Sequence, residues 1–164
     1  MAGLERLWAP WRNQFITAPK SRRCIFCTAK RSRANRQHQV IARGKQVFAL
    51  LNRYPYNNGH LMVAPYRHVG TLSALTPAEW NEVLRMLQSM MQRLRRTIRP
   101  HGFNLGINLG RTAGAGIPGH LHVHLVPRWN GDTNFLPILA HTKVISQSLD
   151  ELYLLLTHRA HRSS

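Results

Sequence analysis

Three histidines, His120, His122 and His124, alternate with Leu121, Val123 and Leu125 in a single short stretch. In a β-strand successive side chains point to opposite faces, so this spacing predicts three imidazoles on one face with three aliphatic side chains packed behind them. Alternate residues of a strand lie roughly 6.8 Å apart, which suits contacts with successive phosphate groups of a polyphosphate. Neutral imidazole is a nucleophile near neutral pH, and its cation is a hydrogen-bond donor. A row carried on a strand presets the geometry of attack. The competing readings are a half-buried strand with surface histidines, or a metal site.

Two further groups carry chemistry. Cys24 and Cys27 stand at the Cys-x-x-Cys spacing, which favours tetrahedral zinc and is poor for a structural disulfide. In a cytosolic chain the rivals are a thioredoxin-like redox pair, which wants a surrounding βαβ pattern, and thiols without a role. The Gly-rich stretch Arg111 to Gly119 leads directly into the histidines. Backbone N–H groups of such a loop can meet developing negative charge.

These residues need elements to hold them. Residues 46–52 and 60–64 read as strands joined by the turn 53–59, where Pro55 and Asn57-Asn58-Gly59 are breakers. Thr76-Pro77-Ala78-Glu79 reads as a capping box opening a helix from Pro77 to about Ile98, with Trp80, Val83, Leu84, Leu87, Met91 and Leu94 at helical spacing. Phe103 to Leu109 alternates again as a strand, and Ser146 to His158 suits a short amphipathic helix. Strands outnumber helices, with hairpin-like turns, which predicts an α+β fold on a largely antiparallel sheet.

A chain of 164 residues, 43% hydrophobic and 18% charged, is one domain by length with material for a core. The charge is unusual: 23 Lys+Arg against 6 Asp+Glu give +17. Such a chain attracts polyanions, whether nucleotides, nucleic acid or an acidic membrane surface. Lys20 to Lys45 holds nine basic residues and no acidic one. It reads as a solvated loop face. A dedicated RNA contact is the alternative, without an RNP-like or helix-turn-helix motif behind it. Trp8, Trp11, Phe15 and Ile16 suggest a packed N-terminal arm, or a tryptophan beside a nucleotide base. No secretory signal or membrane-spanning stretch is evident, so a soluble, cytoplasmic protein is expected.

The run His120-Leu-His122-Val-His124-Leu-Val126 resembles the signature of the histidine-triad superfamily. Pro127-Arg128-Trp129, Gly131-Asp132-Thr133-Asn134-Phe135 and Leu7-Trp8-Ala9-Pro10-Trp11-Arg12 are similar to one bacterial branch of it, which contains diadenosine tetraphosphate phosphorylases and dinucleoside polyphosphate hydrolases. The resemblance runs from about Leu7 to Leu156. It implies a five-stranded antiparallel sheet with one long helix and a C-terminal helix, paired as a homodimer through the long helix and an adjoining strand. It divides the chain into an arm (1–23), a catalytic domain (24–135) and a C-terminal extension (136–164), one structural domain overall.

The same resemblance implies roles. His122 matches the nucleophile that attacks an α-phosphorus and forms a covalent nucleotidyl-histidine. His124 matches the histidine that binds phosphate oxygens and assists the leaving group. Asn108 matches a phosphate contact and Asn52 a ribose contact, with Gly114, Ala115 and Gly116 forming the loop around the phosphates. Cys24, Cys27, His68 and His120 match a Cys₂His₂ zinc set, which makes His120 structural; no organic cofactor is implied. Hydrolases of the fragile-histidine-triad type carry Gln four residues before the first triad histidine, where this chain has Gly116. That departure favours phosphate over water as the acceptor, giving ATP and ADP, although phosphorylase relatives often carry a hydroxyl residue there. The alternatives are a dinucleoside polyphosphate or adenosine phosphoramidate hydrolase, and a non-catalytic basic nucleotide- or RNA-binding module. The implied partner is a nucleotide substrate. The basic surface adds weak, non-specific contact with nucleic acid, and no membrane partner is expected.

Overall fold

The computed structural model describes residues 24–132 and 147–158. The expectations placed on the aromatic arm and on Thr133-Asn134-Phe135 lie outside those residues. In chain order the elements are α1 (Ile25–Arg31), β1 (Val40–Arg43), β2 (Val47–Leu51), β3 (Leu61–Pro65), a 3₁₀ turn (Leu72–Ala74), α2 (Pro77–Ile98), β4 (Gly102–Gly106), β5 (Val123–Arg128) and α3 (Leu149–His158). The five strands make one sheet in the order β1-β2-β3-β5-β4, and every neighbouring pair is antiparallel. This is the α+β architecture that the strand count and the resemblance predict.

The long helix begins where its capping box places it. The Thr76 hydroxyl accepts from the Glu79 N–H at 3.2 Å, the Glu79 carboxylate accepts from the Thr76 N–H at 2.9 Å, and Pro77 occupies the first turn. Glu79 is buried and also takes two contacts of 2.7 Å from the Arg67 guanidinium. That guanidinium is the main reason its carboxyl sits down at about 2. The pair clamps the segment after β3 to the start of α2.

Alternation along the strands sorts the sheet into two faces. Val47, Ala49 and Leu51 of β2, Leu61 and Val63 of β3, and Val123 and Leu125 of β5 meet Val83, Leu87, Met90 and Leu94 of α2 and Leu152, Tyr153 and Leu156 of α3. Burying each such aliphatic side chain is worth about 1.5–3 kcal/mol, so this face anchors the fold. The intervening residues Phe48, Leu50, Met62 and Ala64 meet Phe26 and Ala29 of α1 on the other face. His124 pairs with Met62 across β3 and β5, which places it on the α1 face.

Two sequence readings are corrected. The run 20–45 is not simply a solvated loop: its described part holds α1 and β1, with Phe26, Ala29 and Val40 at most 2% exposed. Two of its cations are tied down by carbonyls, Arg43 donating to Ala29 O and Ser32 O at 2.8 Å each and Lys30 to Tyr66 O at 2.6 Å, whereas Arg31, Arg33, Arg36 and Lys45 are exposed. Second, the strand does not contain the whole histidine row. β5 starts at Val123, and the preceding residues run beside the 68–70 segment, with the Leu121 N–H donating to Val69 O at 2.6 Å. β4 likewise ends at Gly106, opposite His124, instead of running to Leu109. No helix among the described residues is long and apolar enough to cross a membrane.

Candidate active site and metal cluster

Although only His124 lies in the ladder, the chain leading into β5 stays extended enough to keep the three imidazoles together. His122 and His124 have ring centroids 4.8 Å apart. Leu121, Val123 and Leu125 are buried behind them, as alternation predicts. His120, His122 and His124 are 0%, 6% and 8% exposed. Burial is the first cause holding all three below the ordinary imidazole value, His120 and His124 to about 4. They are therefore neutral at physiological pH, and each carries a single ring proton.

Where that proton sits follows from the partners. His120 Nε2 lies 2.9 Å from Pro65 O. A carbonyl only accepts, so Nε2 carries the hydrogen and Nδ1 presents a lone pair. His122 Nδ1 lies 2.8 Å from His120 O, so the hydrogen is on Nδ1 and the Nε2 lone pair is free to attack. His124 is set by a residue that sequence reasoning passed over. His60, 0% exposed, accepts the Tyr56 N–H at Nδ1 over 3.1 Å, which leaves its hydrogen on Nε2. Nε2 then donates to His124 Nδ1 over 2.9 Å. His124 thus holds its own hydrogen on Nε2, a buried nitrogen with no partner among the described residues. A nucleophilic nitrogen and a waiting donor stand side by side, one on each of two adjacent rings. Burial pushes His60 down to about 3, helped by His124 and His122, so the relay stays neutral.

The residues expected to contact substrate have these partners. The Asn52 side chain is already engaged: Oδ1 accepts the Tyr54 N–H at 2.9 Å, and Nδ2 lies 3.3 Å from His60 Nδ1. Asn108 reaches the loop, with Nδ2 3.5 Å from Gly114 O. That loop joins β4, whose Gly106 faces His124, to His120. Gly114 has φ +86°, a conformation that favours glycine. The Gly114 and Ala115 N–H groups donate inside the loop, to Arg111 O at 3.0 Å and Gly110 O at 3.2 Å. Of the three amides expected to face phosphate, Gly116 alone donates to no described residue.

At the other end of the row Cys24, Cys27, His68 and His120 converge, their ligand atoms all within 4.8 Å of one another. Cys24 Sγ is 3.3 Å and Cys27 Sγ 3.7 Å from His120 Nδ1, Cys27 Sγ is 3.3 Å from His68 Nδ1, and the two Nδ1 atoms are 3.2 Å apart. Zinc bonds of roughly 2.0–2.3 Å give tetrahedral edges of about 3.3–3.8 Å, and these four separations, 3.2–3.7 Å, lie close to them. The fixed tautomer of His120 supplies the lone pair that a ligand needs. Gly119 permits the approach, since a Cβ there would meet His68 Nε2 at 3.3 Å.

The HIT domain family matches residues 33–131, which include all three histidines of the row. The chain belongs to the HIT family. Among HIT relatives, it is 43% identical over 161 residues to the AP-4-A phosphorylase of Mycobacterium tuberculosis, covering 93% of this chain and 83% of that one. A hypothetical histidine triad nucleotide-binding protein from Sulfolobus tokodaii superposes with a TM-score of 0.63 at 28% identity, covering 82% and 87% of the two chains. A zinc-bound histidine triad family protein from Mycobacterium smegmatis does so at 0.59 and 26% identity, covering 82% and 91%. The residue missed in reading this HIT sequence, His60, stands just before β3, the strand that pairs with β5, and its spacing alone carries no signal of that role.

Proposed function

We propose that this HIT enzyme cleaves dinucleoside polyphosphates of the diadenosine tetraphosphate type through a covalent nucleotidyl-His122, with inorganic phosphate as the second acceptor. The observation that carries the reading is the opposed proton placement on His122 and His124. The free His122 Nε2 forms a bond to the α-phosphorus as the bridging P–O bond breaks and ATP leaves. The His124 Nε2–H donates to a phosphate oxygen as charge develops, and the Gly116 N–H lies in the loop suited to a second such contact. An oxygen of phosphate then attacks the same phosphorus, the P–N bond breaks, and ADP is released with His122 restored. Covalent catalysis divides one difficult displacement into two.

Phosphate is supported as the acceptor by Gly116, where a Gln amide would otherwise stand, and by the 43% identity to a protein named for phosphorolysis. Asn108, beside the phosphate loop, and Asn52, beside His60, are the proposed phosphate and ribose contacts. Zinc is the proposed occupant of the Cys24, Cys27, His68 and His120 cluster, which the sulfur–nitrogen donor set favours. When bound it supplies a structural tether. A homodimer is proposed through β4 and α2. β4 ends the sheet order, and Leu105 on it and Leu84 on α2 are 52% and 55% exposed.

The test is product analysis with ³²P-labelled phosphate and diadenosine tetraphosphate. The expected result is ATP and ADP in equal amounts, the label appearing only in the β-phosphate of ADP, and no turnover without phosphate. Formation of ATP and AMP at the same rate in phosphate-free buffer would make the enzyme a hydrolase.

A further inference from the structure

The Cys-x-x-Cys segment does more than border the histidine row. Phe26, between the two cysteines, is fully buried. Its ring centroid lies 4.9 Å from that of His120 and 4.8 Å from that of His122. His120, meanwhile, has each of its polar groups committed: Nδ1 to the cysteine cluster, Nε2 to Pro65 O, and its carbonyl to the His122 Nδ1–H. The nucleophile therefore touches the metal cluster by two routes, one through an aromatic ring and one through a peptide carbonyl.

The segment holding Phe26 is weak by itself. α1 has seven residues, no side-chain cap at its N-terminus and no acidic residue in its first turn. A helix of that length is unstable without tertiary anchors. At its C-terminal end it has them, in the Arg43 and Lys30 contacts. At its N-terminal end Phe26 packs on Phe48 in the core, and Cys24 and Cys27, drawn toward His68 and His120, hold the turn around it.

We propose that the metal cluster positions the nucleophile: ligation through Cys24, Cys27 and His120 fixes the Phe26 ring and the His120 carbonyl, and these two together hold His122 in its attacking orientation. The inference rests on the function proposed above for His122. Phe26 is a positioning residue, since nothing requires it to touch substrate. A misplacement of about 1 Å at a nucleophile costs up to roughly 100-fold in rate, so a modest shift of α1 is enough.

The experiment compares zinc-loaded wild type, chelator-treated wild type, Phe26→Leu, which keeps all four ligands, and Leu94→Ala, which opens a cavity on the far face of the sheet. Three quantities are read at a temperature well below each melting point: the ¹H–¹⁵N signal of the His122 Nδ1–H, which its carbonyl bond protects from exchange; the single-turnover rate of nucleotidyl-enzyme formation; and Tm. Metal removal and Phe26→Leu should each weaken or shift the His122 signal and slow the intermediate by about 10- to 100-fold, with KM little changed. Leu94→Ala should lower Tm while leaving signal and rate alone. The proposal is overturned if metal-free, folded protein keeps both, or if Phe26→Leu behaves like Leu94→Ala. Should loaded wild type form no nucleotidyl-enzyme at all, the proposed reaction fails, and the His122 signal still decides whether the cluster positions the ring.

Discussion

His60 Nε2 lies 2.9 Å from His124 Nδ1, two buried rings 64 residues apart in the chain, one just before β3 and the other in its neighbour β5. The bond determines which nitrogen of His124 holds the hydrogen. His60→Ala should leave His124 free to hold its proton on either nitrogen, and nucleotidyl transfer should fall by about 10- to 100-fold, below the full loss of an acid–base group. Steady-state kinetics on diadenosine tetraphosphate measure this. Unchanged kcat in a folded variant would remove His60 from the machinery.

His122 and His124 should differ sharply. His122→Ala removes the attacking nitrogen, so no nucleotidyl-enzyme forms and both half-reactions vanish. His124→Ala keeps the nucleophile and should slow turnover by roughly 10²–10⁴-fold. Acid-quench trapping of the nucleotidyl-protein separates the two. Trapped intermediate in His122→Ala would place the nucleophile elsewhere.

Stability should decline toward acid earlier than carboxylate titration requires. In the unfolded chain His60 and His124 titrate near the ordinary value of about 6.5, whereas in the fold burial holds them at about 3 and about 4. Groups with depressed folded values bind fewer protons folded than unfolded, so their contribution is intact above about pH 6.5 and is lost as pH falls through that window. Glu79, held at about 2 chiefly by Arg67, adds a second loss as pH falls from the ordinary carboxylate value toward about 2. Urea midpoints of metal-free protein should be level from pH 7 to 8 and fall steadily below 6.5. A midpoint constant down to pH 5 contradicts this.

Protein purified without added metal should contain about one zinc per chain, as a single Cys₂His₂ site requires. Cys27→Ser should lose most of it and lower Tm, since structural metal binding is folding energy. Elemental analysis beside a melting curve checks both, and zinc-free protein that is folded and fully active would remove the metal from the account.

Binding to single-stranded RNA should be weak, indifferent to sequence and steeply salt-dependent. Arg43 and Lys30 already donate to carbonyls, so the basic segment offers fewer mobile cations than its composition suggests. Filter binding over a salt series checks this. Sequence-selective binding that persists at high salt would mean a dedicated nucleic-acid role.

What could be read from the sequence was local. Thr76-Pro77-Glu79 set the start of α2 at its observed residue because a capping box is chemistry between neighbours. The alternation at 120–125 exposed the histidine row for the same reason. α1 and β1 were hidden because seven and four residues are too few to show a period, and their burial depends on Phe48 and Met62 across the sheet. His60 was hidden because its role arises only when β3 pairs with β5. The division of labour in the Gly-rich loop, with two amides turned inward, depends on a left-handed Gly114 that composition does not reveal.

The main chain, more than the side chains, decides where the protons of this site reside. Pro65 O, His120 O and the Tyr56 N–H determine the tautomers of His120, His122 and, through His60, His124. A peptide group is the same whatever residue bears it. The hydrogen bonds that wire the site therefore survive most substitutions at 65 and 56, although those at 56 remove a ring whose centroid lies 4.6 Å from that of His60 and 5.7 Å from that of His124. The exception is proline at 56, which deletes an N–H: that one replacement would cut the relay to His124 without altering a single histidine.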